Sequence, residues 1–330
     1  MSDTVLVTGA SGFVGAAVAR AAVARGFRVK VLMRAAANHA NIAGLDVEAI
    51  TGDMRDEASM TRALDGVRYL FHVAADYRLW ARDPNEIARN NLEGARAVMG
   101  AAKAAGVERI VYTSSVAALK PVNGMAVDET SRHTPQSVIG AYKLSKLLAE
   151  REVDRRIAEE ALPCIIVSPS TPIGQRDIKP TPTGRIIVEM ANGKMPAFLD
   201  TGLNLAHVED VAEGHFLALE KGRIGENYIL GGEDVPLQAM LGDIGAMVGR
   251  KAPRVKLPRG PLFPLAWGAE AVARFTGKEP FLTADALRMS RYRMFFSSEK
   301  AKRELGYQAR PYRAGLEDAL AWFGGNGYLK

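Results

Sequence analysis

Short apolar runs rich in Val, Ile and Leu recur through the first half of the chain, each followed by a stretch whose apolar residues return at helical spacing. The runs Val5 to Thr8, Arg28 to Met33, Val47 to Ile50, Tyr69 to Val73, Arg109 to Thr113 and Pro163 to Val167 read as strands, separated by helices of about three to five turns. Little polar alternation interrupts them, so helices must cover both faces of the sheet, and the fold class predicted is α/β with a doubly wound parallel sheet, the Rossmann arrangement. Gly26, after Ala24-Arg25, is placed to end the first helix. Beyond Val167 the rhythm breaks into two loop-rich stretches, Pro169 to Gly174 and Lys179 to Gly184. The helical pattern His207 to Leu219 and the strand pattern Tyr228 to Gly232 then return to the first unit. The predicted organisation is a unit over residues 1–170 with returning segments at about 203–233, and a smaller part made of 171–202 and 234–330.

The first apolar run leads straight into Thr8-Gly9-Ala10-Ser11-Gly12-Phe13-Val14-Gly15 and an alanine-rich helix. Strand, glycine turn and helix in that order make a dinucleotide-binding turn. Gly9 permits the bend, Gly12 lets a pyrophosphate approach the backbone, Gly15 allows helix and strand to pack closely, and the helix N-terminus offers free amides to phosphate. The second run ends at Arg34, where an NAD-specific site would carry an acid for the ribose hydroxyls. An arginine there can instead bind a 2′-phosphate, which favours NADP(H) over NAD(H).

The composition is that of an ordinary globular protein: 330 residues, 48% hydrophobic and 24% charged. The formal charge of +6 is not gathered into a dense basic run, so no nucleic-acid partner is predicted. Cys164, the single cysteine, sits in an apolar run and reads as a buried structural thiol, which suits a reducing, cytoplasmic setting. No run reaches the roughly 18 apolar residues of a membrane helix. The apolar run Gly260 to Trp267 allows two readings, a greasy mouth or membrane-facing surface, or a buried helix start. No His, Cys and carboxylate cluster has metal spacing, and His72 and His207 read as packed structural residues.

Tyr142 and Lys146 stand four apart on a predicted helix and so share a face. A cationic Lys146 is expected to lower the Tyr142 pKa, letting the phenol exchange a proton with a substrate carbonyl or hydroxyl. Val111 to Ser115 ends the fifth strand, bringing Thr113 and Ser115 to the carboxyl edge of the sheet, and Ser115 is the group chosen to hold the substrate oxygen.

Together these features resemble an extended short-chain dehydrogenase/reductase of the NAD-dependent epimerase/dehydratase family, along essentially the whole chain. The resemblance implies a catalytic triad of Ser115, Tyr142 and Lys146, with Asn91 supporting the active-site water network. It assigns the cofactor to Gly9, Ser11, Gly12, Phe13, Val14 and Gly15, to Arg34, to Asp53 and Met54 near the adenine, and to Val73, Ala74 and Ala75 beside the ribose. Thr113, Tyr142, Lys146, Pro169, Ser170 and Thr171 complete that set. His207 to Ala212 and Leu305-Gly306-Tyr307 also match. The runs Ser168 to Gly184 and Asp200 to Val208 resemble more narrowly the bacterial hopanoid-associated sugar epimerase group, which lies close to dihydroflavonol 4-reductase, and imply a hopanoid-lipid setting. The long helical patterns Pro84 to Ala105 and Tyr142 to Ala161 suit the family's four-helix homodimer interface.

Two functions follow. One is an NADP(H)-dependent carbonyl reductase or alcohol dehydrogenase acting on a small molecule, a lipid-linked carbonyl or sugar among the choices. The other is a sugar-nucleotide epimerase that keeps its nicotinamide cofactor bound. A 4,6-dehydratase would carry an Asp-Glu pair directly after the active-site hydroxyl, where this chain has Val116-Ala117. A catalytically silent scaffold of the same fold would not need Ser115, Tyr142 and Lys146 together.

Overall fold

The computed structural model describes residues 2–122 and 124–330. The apolar runs become β1 (Thr4–Thr8), β2 (Arg28–Met33), β3 (Glu48–Thr51), β4 (Tyr69–His72), β5 (Arg109–Thr113) and β6 (Cys164–Pro169). Between them lie α1 (Phe13–Ala24), α2 (Glu57–Leu64), α3 (Pro84–Ala104) and α4 (Ala141–Glu160). The chain continues through β7 (Thr171–Ile173), α5 (Pro182–Ala191), β8 (Ala197–Phe198), β9 (Gly202–His207), α6 (Val208–Lys221), β10 (Asn227–Leu230), β11 (Glu233–Pro236) and α7 (Leu237–Met247). It ends with β12 (Val255–Lys256), α8 (Phe263–Thr276), α9 (Ala284–Met289), β13 (Arg293–Met294), α10 (Glu299–Leu305) and α11 (Tyr312–Gly325).

Seven strands form one sheet in the order β3-β2-β1-β4-β5-β6-β10, and every pairing is parallel. Val5, Leu6 and Val7 of β1 are completely buried because both faces of the sheet are covered. Leu6 packs among residues of α2, α3 and α4, whereas Val5 and Val7 pack with α1 and α6 on the other side. Small residues on the buried face of α1, among them Gly15, Ala16, Ala19 and Ala22, let that helix lie close to the strands. Gly26 takes φ +77° just past α1, and the backbone N–H of Phe27 reaches back to the Ala22 carbonyl at 3.2 Å, closing the helix. Strand order reverses direction between β1 and β4, which opens a crevice at their carboxyl ends.

A second sheet, β11-β9-β13 with β7 alongside β9, packs with α5, α7 and α11 around Ile173, Leu205, Ile244, Leu316 and Phe323. The boundary differs in two places from the sequence expectation. Gly202–His207 belongs to this second sheet, because its partners are β7 and β11, so the return to the first unit begins at Val208. Residues 299–307 also return, with Leu305 and Tyr307 buried beside β10 and α6. No helix among the described residues is long and apolar enough to cross a membrane.

Candidate active site

The chain leaves the carboxyl end of β1 through a turn so tight that Gly9 and Gly15 admit nothing larger. Gly9 has φ +77°, and a Cβ there would lie 2.7 Å from the Ala74 nitrogen; one on Gly15 would lie 2.2 Å from the Gly9 carbonyl oxygen. The loop therefore folds onto α1 and onto the end of β4. Gly12 is the N-cap of α1, makes no side-chain capping bond, and the first turn carries no acid, so the helix N-terminus is open to an anion. Ser11, Phe13 and Val14 complete the turn. Thr8 ties it to its neighbour, since its hydroxyl accepts from the Ala74 N–H at 3.2 Å and bonds His72 Nδ1 at 2.8 Å. Burial and the Lys146 charge hold His72 down at about 3, a neutral packed histidine.

Arg34 lies exposed just past β2, and its guanidinium has no hydrogen-bond or ion-pair partner among the described residues. Asp53, past β3, is held by the Arg55 guanidinium at 2.8 Å, which keeps its carboxyl below the ordinary value. Met54 turns inward, its end against Gly94 of α3. Val73, Ala74 and Ala75 follow β4 beside the glycine turn. Pro169, Ser170 and Thr171 follow from the end of β6, and the Ser170 Oγ is buried with no protein partner. This orphaned hydroxyl and the open helix terminus fit a nicotinamide dinucleotide lying across the carboxyl edge.

Tyr142 enters the crevice from the first turn of α4, whose N-cap is Gly140 at φ +92°. Burial raises the Tyr142 pKa above its ordinary value, and a hydrogen bond with Ser115 pulls it back. Ser115 stands two residues past β5, where its hydroxyl also caps the following turn by accepting from the Ala117 N–H at 3.1 Å. One helical turn on from Tyr142, the Lys146 ammonium donates to the Thr113 carbonyl at 2.8 Å and lies 5.2 Å from the Tyr112 ring centre. Lys146 is almost wholly buried, and desolvation brings its pKa down to about 8, with Glu150 opposing. The sequence expectation that Lys146 lowers the Tyr142 pKa therefore meets a different balance: burial of the phenol dominates, and Ser115 is the group that offsets it.

Asn91 has a protein partner for every polar atom. Its Nδ2 donates to the Asp76 carbonyl at 3.0 Å and to Ser145 Oγ at 2.7 Å, and its Oδ1 accepts from the Asp76 N–H at 2.6 Å. It latches the loop after β4 to α3 and α4, a positioning role in this geometry. Two further groups escaped the sequence reading. Glu150 lies buried under Lys146, accepts a hydrogen bond from the Ser114 hydroxyl, and is approached by Arg132 at 3.8 Å. Its spacing of four from Lys146 and eight from Tyr142 was the available signal. His215 of α6 bonds the Thr113 hydroxyl at 2.9 Å from beneath the sheet. It is distant in sequence, so no local pattern marked it.

Residues 5–231 match the family described as NAD dependent epimerase/dehydratase. A putative dihydroflavonol 4-reductase of Synechocystis is 40% identical, covering 100% of this chain and 97% of its own. Sterol demethylase protein B of Methylococcus capsulatus is 33% identical over 99% of this chain and 100% of its own. The crystal structure of gox2253 is similar in fold with a TM-score of 0.90 and 52% identity, covering 100% of both chains.

Proposed function

Because the chain belongs to the NAD-dependent epimerase/dehydratase family, whose members bind a nicotinamide cofactor, we propose that it is an NADP(H)-dependent carbonyl reductase with Tyr142 as its acid/base group. When bound, the nicotinamide supplies the hydride. The chain's own residues do the rest: Ser115 holds the substrate oxygen, Tyr142 gives it a proton, and Lys146 sets the charge of the proton-donating face. Asn91 keeps the loop after β4 in register with α4.

Arg34 carries the choice of reductase and of NADP(H). A free guanidinium at the end of β2, with no competing carboxylate bonded to it, is suited to a 2′-phosphate and so to an exchangeable reductant. The alternative is a sugar-nucleotide epimerase with retained NAD; the family's description names an NAD-dependent epimerase without a substrate. The names of the two relatives, one a dihydroflavonol reductase and one a protein of sterol demethylation, support a carbonyl borne on a large apolar ring system. A hopanoid-type lipid is the proposed setting, consistent with the likeness of the runs Ser168 to Gly184 and Asp200 to Val208. Calorimetric titration of NADPH and NADH against wild type and Arg34→Asp tests the cofactor assignment. Wild type is expected to prefer NADPH by about tenfold or more, the scale of one charge-assisted hydrogen bond, and the variant to lose that preference. Equal losses for both cofactors contradict the role of Arg34.

A further inference from the structure

Helix α8 is built inside out. Only Ala266 and Ala273 are buried, two turns apart on the same face, while its exposed positions are Pro264, Leu265, Trp267, Gly268, Ala271, Val272, Arg274, Phe275 and Thr276. A surface helix ordinarily turns charge to water. Here Leu265, Trp267, Val272 and Phe275 are 51, 55, 61 and 87% exposed, and Phe281 just beyond is 77% exposed. The exposed face carries one charge, and that charge is positive.

The surrounding sequence is equally one-sided. From Arg250 to Arg293 there are ten Lys and Arg against three Asp and Glu, a net +7 in a chain whose total is +6. The rest of the molecule is thus close to neutral. Lys251, Arg254, Arg274 and Lys278 are exposed and make no ion pair with the described residues. Exposed aromatics and aliphatics amid unpaired cations are the chemistry of a helix lying in the headgroup region of an anionic bilayer.

We propose that α8 and the turn after it dock the protein on an anionic lipid surface, beside the active-site opening. Two contacts connect the helix to that opening. Arg82, in the loop between β4 and α3, donates to the Phe275 carbonyl at 2.9 Å. At the far end of the α8–α9 connection, the Asp285 carboxyl lies beside Gly140, the N-cap of the helix that carries Tyr142. An amphiphilic substrate could pass from the lipid into the crevice without crossing water. A second copy of the chain is a poorer occupant, because pairing this face with itself brings two strongly positive segments together. The docking stands whether the enzyme reduces or epimerises.

The test is cosedimentation of the full chain with vesicles, either pure phosphatidylcholine or phosphatidylcholine with about a third phosphatidylglycerol, across a salt series. Wild type is expected to bind the anionic vesicles, to bind neutral ones far less, and to be released by salt. Val272→Asp with Phe275→Asp should weaken anionic-vesicle binding at least about tenfold, since both apolar insertion and charge are lost. Arg274→Glu with Lys278→Glu should weaken binding to the anionic vesicles alone. All four side chains point outward, so unchanged thermal unfolding of both variants is expected. Wild type remaining in the supernatant at low salt overturns the proposal, as does equal binding by the variants. A dimer that forms through this face, lost in Val272→Asp/Phe275→Asp while vesicles go unbound, overturns it in favour of self-association.

Discussion

In the proposed mechanism Lys146 acts as a cation, and the protein makes that charge expensive. Burial brings its pKa down to about 8, and the Glu150 carboxylate behind it pushes back. The cation is therefore lost as pH rises through about 8, and the reduction rate is expected to fall there. In Glu150→Gln the opposing charge is gone, so the falling limb of the pH–rate profile should move to lower pH while the plateau rate changes less. A profile that keeps its limb in place removes Glu150 from the account. Tyr142→Phe is expected to cut kcat by about 100-fold or more, because general acids of this kind contribute on that scale, while NADPH affinity changes little. More than about a tenth of the wild-type rate would show that another group donates the proton. Lys146→Met should damage both rate and cofactor affinity.

The elements that hold these groups differ in how openly the sequence declares them. The six strands of the first unit lie within a few residues of their predicted bounds; five are largely buried apolar runs, whereas the edge strand β3 is mostly exposed and was legible from its apolar residues alone. The glycine turn was legible for a steric reason that the structure makes explicit at Gly9 and Gly15. The second sheet was not, since β7, β11 and β13 are short and meet β9 from distant parts of the chain, so their pairing leaves no local pattern. The two readings of the run from Pro261 to Trp267 divide by residue: Ala266 is buried and Leu262 and Phe263 are half-buried, whereas Pro261, Pro264, Leu265 and Trp267 face outward. Histidines buried on β4 and α6 add a stability signature. His72 and His215 are held neutral down to about 3 and about 4, against an ordinary value of 6.5. The unfolded chain binds these protons first, so stability is present above about pH 6.5 and is lost as pH falls towards 4. At pH 5 each costs about 2 kcal/mol. Melting temperatures measured from pH 7 to 4.5 should decline less steeply for His215→Gln than for wild type, and parallel curves would contradict this.

As a whole molecule, the chain sets Tyr142, Ser115 and the glycine turn at one sheet edge, the groups of the proposed reductase, and turns the apolar face of α8 outward within a cationic segment. The same triad could serve net reduction or epimerisation, since both move a hydride and a proton at one carbon. What separates them is whether the hydride stays with the product. An epimerase returns it, so the nicotinamide absorbance shows no net change while two stereoisomers exchange. The most direct measurement therefore follows NADPH absorbance and product chromatography together, on a panel of hopanoid-derived and other polycyclic ketones and aldehydes alongside sugar nucleotides. One NADPH should be consumed per alcohol formed from an apolar carbonyl, and none of this should be seen in Tyr142→Phe. Interconversion of sugar-nucleotide isomers without NADPH loss, and no reduction of any lipid carbonyl, would contradict the proposed reduction.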